Sequence, residues 1–307
     1  MMRCLPLLLC LAACSADRQP GSLFGSVEED SELVVDALLL VDQHLPELYV
    51  RRSLAADIAY DRTATGVADA RVRILQGDRV FEYAPDTEEP GRYLPPPDPP
   101  RVEPRTEYRL EVEVGGQSLW GRTTTPDRLR VRQAVLIDWE TGEVLRTLKS
   151  FAEAGDGVYD APENQLLYLE GVLEIHLEAA EAAGYQAGIF SLDESPEKVN
   201  EDLDEFYDDD EDPSRNESPP LAVTEGIVRW PWFAVYYTGR SMVKVYALDQ
   251  NWFDYARTNA DQQEQGGGAG GLAGDNFERP LFSVEGGLGL FGSASADSVG
   301  FVVVPRE

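Results

Sequence analysis

At 307 residues the chain is long enough for two domains of ordinary size, and a hydrophobic fraction of 43% supplies real cores, which excludes a globally disordered protein. Its 56 acidic side chains outnumber 26 basic ones, for a formal net charge of −30. Such a surface repels nucleic-acid phosphates and lies poorly on anionic lipid, so nucleic acid is excluded as a partner and most of the acid reads as solvated surface.

The chain begins with Arg3 ahead of an apolar run over 5–13 that closes on Leu11-Ala12-Ala13-Cys14. A spanning helix needs about 20 apolar residues. A shorter run, with a basic start and small residues at its end, has the build of an export signal. Leu-Ala-Ala-Cys resembles the bacterial lipobox, in which the signal is cut before the cysteine and the thiol receives a diacylglycerol. Residues 1–13 are then a lipoprotein signal peptide. Cys14 is the lipidation site, carrying palmitate-type chains that hold the protein on a membrane without crossing it. Each buried CH₂ contributes about 0.8 kcal/mol, and stable anchoring takes more than one chain. The alternative is an ordinary cleaved signal with an incidental cysteine. Cys4 and Cys10 fall in the removed segment, so the mature chain keeps one cysteine and no intramolecular disulfide.

Residues 14–31, rich in Gly, Ser, Asp and Glu, read as a flexible tether. Strands follow. Residues 32–40, 49–54 and 70–75 alternate or run apolar; Gln76-Gly77-Asp78 turns the chain into a partner over 79–83. After Gly91-Arg92-Tyr93-Leu94, the prolines of 95–104 predict an exposed extended loop. Glu107-Tyr108-Arg109-Leu110-Glu111-Val112-Glu113-Val114 alternates without a fault, Gly115-Gly116 turns, and 118–124 returns. Short strands at this spacing predict an immunoglobulin-like β-sandwich over 32–127.

A second β-rich domain with few helices is expected over 128–307. Residues 129–137 and 185–192 read as strands. The stretch 166–183 is ambiguous between one long strand and a strand passing into helix, because Glu178-Ala179-Ala180-Glu181-Ala182-Ala183 favours helix locally. The acidic insert at 193–220 predicts a solvated, disordered segment. Calcium is the alternative there, but the EF-hand glycine and closing glutamate are missing, so no metal is assigned. Trp230, Trp232, Phe233, Tyr236, Tyr237, Trp252, Phe253 and Tyr255 form an aromatic block that reads first as sandwich core and second as a ligand groove. A Gly-rich loop spans 259–276. Gly287, Gly289 and Gly292 match a dinucleotide fingerprint in spacing only. The β-rich run over 299–304 stands where that motif needs a helix, so a bulge or tight turn between two final strands is expected, with no cofactor.

No catalytic set stands out. His44 and His176 are the only histidines, His176 on an alternating run that points it to solvent, and neither G-x-S-x-G nor H-E-x-x-H occurs. The lipobox, the 107–114 strand with its Thr123-Thr124-Thr125-Pro126 close, and Gly286-Gly287-Leu288-Gly289-Leu290-Phe291-Gly292 together resemble one family. It is the bacteroidete-type outer-membrane lipoproteins grouped as domain of unknown function 4249. The resemblance covers most of the chain; the acidic insert and the Gly-rich loop depart from it. It implies a lipid-anchored outer-membrane protein, periplasmic or surface-exposed, of a kind often encoded beside TonB-dependent receptors. It implies no catalytic residues. The expected function is therefore a binding or accessory role beside such a receptor or another envelope protein, in nutrient capture. A structural or adhesive surface protein is the alternative, and a hydrolase the third reading.

Overall fold

The computed structural model describes residues 31–54, 58, 61, 63–178, 180–194, 196–199, 215–221, 226–258 and 280–306. The signal peptide, Cys14, the tether up to residue 30, residues 200–214 of the acidic insert and the 259–276 loop lie outside them. The fold is mainly β, as expected, in two sandwich-like parts with little helix.

The first part is built from alternating strands. β1 (Leu33–Leu40) buries Leu33, Val35, Ala37 and Leu39 on one face. β2 (Leu48–Arg52) pairs antiparallel with it. β3 (Arg71–Gln76) and β4 (Arg79–Pro85) form the hairpin predicted at Gly77-Asp78. β5 (Arg92–Leu94) joins β2, while Ala84 and Pro85 at the end of β4 join β5. β4 thus turns the corner between the two layers. β6 (Glu107–Val114) buries Tyr108, Leu110, Val112 and Val114, and returns through Gly115-Gly116 into β7 (Gln117–Thr124). The proline-rich segment is less exposed than expected. Val102 is buried, its N–H donates to Gln43 O (2.8 Å) and its carbonyl accepts from Asp42 N (2.9 Å). Proline removes donors, but its own carbonyls and its neighbours' groups still pair, as Pro100 O does with Leu45 N (3.1 Å).

The second part packs two layers around Leu136, Leu166, Ile175, Val245 and Phe301. One is the four-stranded sheet of β8 (Val131–Ile137), β9 (Val144–Thr147), β11 (Val172–Leu177) and β14 (Ile227–Trp230), in the order β14-β11-β8-β9. Between β9 and β11 come a helical turn, α1 (Phe151–Ala154), and a short strand, β10 (Gln165–Leu167). The facing layer runs β13-β12-β15-β17, from β12 (Gly184–Ser191), β13 (Arg215–Glu217), β15 (Gly239–Leu248) and the last strand, β17 (Leu288–Val304). Helix α2 (Gln250–Thr258) and the short β16 (Val284–Glu285) complete the set.

Three expectations change here. Residues 166–183 form neither one strand nor a helix. Leu169 takes φ +64°, which breaks the run into β10 and β11 in different sheets. Tertiary bonds such as Ala183 N–H to Leu248 O (2.9 Å) override the helical preference of the alanines. The acidic insert is not wholly disordered: Arg215–Glu217 is the edge strand β13, and Asp193 accepts from Arg240 N (2.8 Å) and Nε (2.7 Å). The chain also ends on one 17-residue strand instead of two. The tight turn is at Gly286-Gly287, between β16 and β17, and strand follows where a nucleotide-binding fold needs helix.

β17 belongs to both parts. Its first half runs parallel to β1, Val34 opposite Leu288 through Leu40 opposite Ala294. Its second half runs antiparallel to β15, from Ala294 opposite Leu248 to Val303 opposite Gly239. Phe291 sits in the first core and Val299, Phe301 and Val303 in the second. The parallel pairing demands glycine at 289, where φ is +121° and a Cβ would lie 1.9 Å from Val35 O. Where the halves meet, Asp249 is buried and takes hydrogen bonds from the Thr123 hydroxyl and from Trp252 N (2.9 Å), the latter capping α2; Thr123 Oγ1 lies 2.7 Å from Ser293 Oγ. Burial pushes the Asp249 carboxyl above its ordinary value, and bonds from Thr123, Trp252 and Ser293 pull it partly back.

Gly289→Ala is expected to cost at least ~2 kcal/mol in urea unfolding, against about 1 kcal/mol for Gly77→Ala, whose Cβ would meet nothing within 4 Å. Asp249 has its folded-state pKa raised, so its stabilisation is complete below the unfolded value of about 3.9 and fades as pH rises through the folded one. Urea midpoints of wild type and Asp249→Asn, compared from pH 3.5 upward, are expected to show the wild-type advantage shrinking with pH; an advantage that grows would contradict the assignment.

Candidate functional site

The aromatic block divides between core and partly buried positions: Tyr237, Trp252, Phe253 and Tyr255 are half-buried. Trp230, Trp232 and Tyr236 are buried. Trp232 stacks edge-on against Tyr168 at 5.6 Å and donates its indole N–H to Gly171 O. Trp252 lies over Tyr246 (5.8 Å), on the outer face of the large sheet, where Leu248 and Ala294 are covered by α2. Helix α2 itself was missed from sequence, although Asp249 three residues before Trp252 is an N-cap signal.

The histidines are apart. His44 is exposed, with Nδ1 2.5 Å from Pro99 O. His176, expected in solvent, is half-buried on β11, its Nε2 2.8 Å from Glu174 Oε1. Glu174 also accepts from Arg229 Nε (2.9 Å) on β14. The buried Glu174 carboxylate takes a hydrogen bond across the β11–β14 pair from Arg229, and His176 stands two residues along β11 from it. The residues opposite His176 are Gln133 and Ile227, so no nucleophile faces it in the register. Among the described residues no group of three or more His, Cys, Asp and Glu is placed to hold a metal ion; the 202–212 acidic run lies outside them.

A cleft of about 290 Å³ opens where the two layers of the second part meet the segment joining it to the first. One wall is 131–134 of β8, the other is 147–150 with Glu153, and the floor is Ser298 and Val299 of β17. The approach segment is fixed by β17 side chains: Leu129 N–H donates to Ser295 Oγ (2.8 Å) and Val131 N–H to Asp297 Oδ2 (2.7 Å). On the far wall Ser150 and Glu153 form a reciprocal cap of α1, and the Ser150 amide and hydroxyl hold the Glu153 carboxyl below its ordinary range. Glu153 is therefore a satisfied structural acceptor. The cations at the rim are Arg132 and Lys149, the latter 3.6 Å from Glu163. Sequence reasoning singled out none of these, because the cleft joins segments more than 140 residues apart.

A mainly β protein of two joined sandwiches, with a cleft in the second, is the class these observations define. The family model described as Domain of unknown function (DUF4249) matches residues 24–299, and the chain belongs to that family. No curated protein matches the chain. No helix among the described residues is long and apolar enough to cross a membrane.

Ser295 is buried, and losing its hydroxyl strands the N–H of buried Leu129. Ser295→Ala is expected to cost about 1–3 kcal/mol of stability, while Ser298→Ala on the half-exposed floor changes the urea midpoint little.

Proposed function

We propose that this protein is a lipid-anchored component of the bacterial outer membrane, periplasmic or surface-exposed, that binds a nutrient or an envelope partner and catalyses nothing. A TonB-dependent receptor is the partner we favour. The observation that carries the reading is the lipobox Leu11-Ala12-Ala13-Cys14, followed by a Gly- and Ser-rich stretch ahead of β1. Acyl chains on Cys14 supply the membrane affinity that a surface of net charge −30 does not. A tether over 14–31 lets the folded part stand away from the lipid. Membership of the DUF4249 family agrees with this reading without specifying a ligand. The placement of His44 between β1 and β2 in the first part and of His176 on β11 in the second, with Gln133 and Ile227 opposite it, favours binding over hydrolysis.

Membrane fractionation of a Cys14→Ser variant tests the anchor. The wild type is expected in the membrane fraction and the variant in the soluble fraction; a variant that stays with the membrane removes the proposal. Crosslinking of the wild type in intact cells, followed by detergent extraction, is expected to recover a β-barrel receptor.

A further inference from the structure

β17 leaves part of one edge open. β15 occupies one side of it from Ala294 to Val303. On the other side β1 stops at Ala294 and β10 begins only at Val302. Direction along this strand is fixed by three bonds. Ser293 O accepts from Asp249 N, at the end of β15, so odd-numbered residues turn their amides to β15. Ala294 O accepts from Val41 N and Gly300 O from Asn164 Nδ2, so even-numbered residues face the gap. Within it Gly300 O is used by Asn164, and Ser298 N–H is used by the adjacent Asp297 Oδ1 (2.8 Å). Both backbone groups of Ala296 and the carbonyl of Ser298 have no protein partner among the described residues. An open strand edge of this kind is a template for another extended chain.

The cleft described above lies at this gap, with Ser298 and Val299 as its floor. At about 290 Å³ it sits at the low end of ligand pockets, which run roughly 300–1,000 Å³. It holds the last residues of a peptide and not a long strand. Its apolar lining is aliphatic and of modest size: Val131, Ala134, Leu148 and Val299. Its rim carries Arg132, exposed and with no acidic partner among the described residues, and Lys149. In a chain with more than two acids for every base, an Arg without a carboxylate is a local reversal of charge. Glu153, the one carboxylate of the lining, is held by Ser150.

We propose that the cleft binds the C-terminal end of a short extended peptide, with its backbone laid on Ser298 in the floor and on the β17 edge beside the cleft at Ala296, and its terminal carboxylate held by Arg132 with Lys149, itself 3.6 Å from Glu163, alongside. The backbone contacts follow strand addition, and the carboxylate contact follows charge-assisted pairing with a guanidinium. Side chains of Ala or Val size fit the aliphatic walls. This deepens the reading of the protein as a capture component and rests on it.

The test is calorimetric titration of the detergent-solubilised full chain with tetra-alanine, beside tetra-alanine carrying a C-terminal amide and beside acetate. Tetra-alanine is expected to bind, the amide at least tenfold more weakly, and acetate too weakly to compete. Arg132→Gln, an exposed site whose change leaves the fold intact, is expected to weaken tetra-alanine at least tenfold, and Arg132→Lys to recover part of that loss. Absence of tetra-alanine binding, equal binding of acid and amide, insensitivity to Arg132→Gln, or competition by acetate alone would each overturn the proposal. Its failure is separable from failure of the anchoring reading: a receptor crosslinked without peptide binding removes only this ligand, and peptide binding by a chain that never enters the membrane fraction removes only the anchor.

Discussion

Everything in this molecule depends on the last strand lying in register beside the first. β1 and β17 run parallel over Val34–Leu288 to Leu40–Ala294, and a parallel pair needs a long connection between its members. Here that connection is almost the entire chain. The first sandwich cannot complete its core until Phe291 arrives, and the second lacks Val299, Phe301 and Val303 of its core until β17 pairs with β15. Gly289 makes the approach feasible, because any side chain there would meet the Val35 carbonyl. Such non-local pairing carries a large loop-closure entropy, so folding of the two parts is expected to be coupled and slow.

The second constraint is polar. Along the core side of β17, the small hydroxyl and carboxyl groups of Ser293, Ser295 and Asp297 replace apolar residues exactly where the halves join. Ser295 and Asp297 meet amides that would otherwise be unpaired, those of Leu129 and Val131, while Ser293 lies against the Thr123 hydroxyl that also bonds Asp249. An apolar strand would bury as much surface but would leave those amides stranded, at a cost of about 1–3 kcal/mol each. The same row is what keeps the 129–131 segment beside β17 and so shapes the cleft. Fixing the chain at the junction and forming a slot are one structural solution.

Charge is arranged around that junction. Some of the acidic side chains are paired with arginines on the outer faces, as at Arg71 with Glu82 (2.9 Å) and at Arg128 with Asp42 (2.7 Å). Exposed pairs of this type contribute little to stability, typically under about 1 kcal/mol. Their effect is to hold most arginines in local partnerships. Arg132, at the cleft rim, has no such partnership among the described residues, and the proposed carboxylate contact uses it.

The sequence by itself determined many of the local elements. Alternation placed β3, β4, β6 and β7 and the faces they bury, because a period of two is a local property that pleating makes unambiguous. The proposed export address rests on residues 5–14, a contiguous run that needs no fold to be read. Only the tertiary structure decided what was non-local. The helix-favouring alanines near 180 yielded to backbone bonds from distant strands, and the glycines of 286–292 became the turn and close approach of a single strand shared by two cores. The cleft needed β8, the start of α1 and β17 in one place, and no window along the chain holds all three. Short-range pattern reports what a segment prefers to be. Which segments meet is settled by the shared core and by the amides left to be paired, and neither exists until the chain has closed on itself.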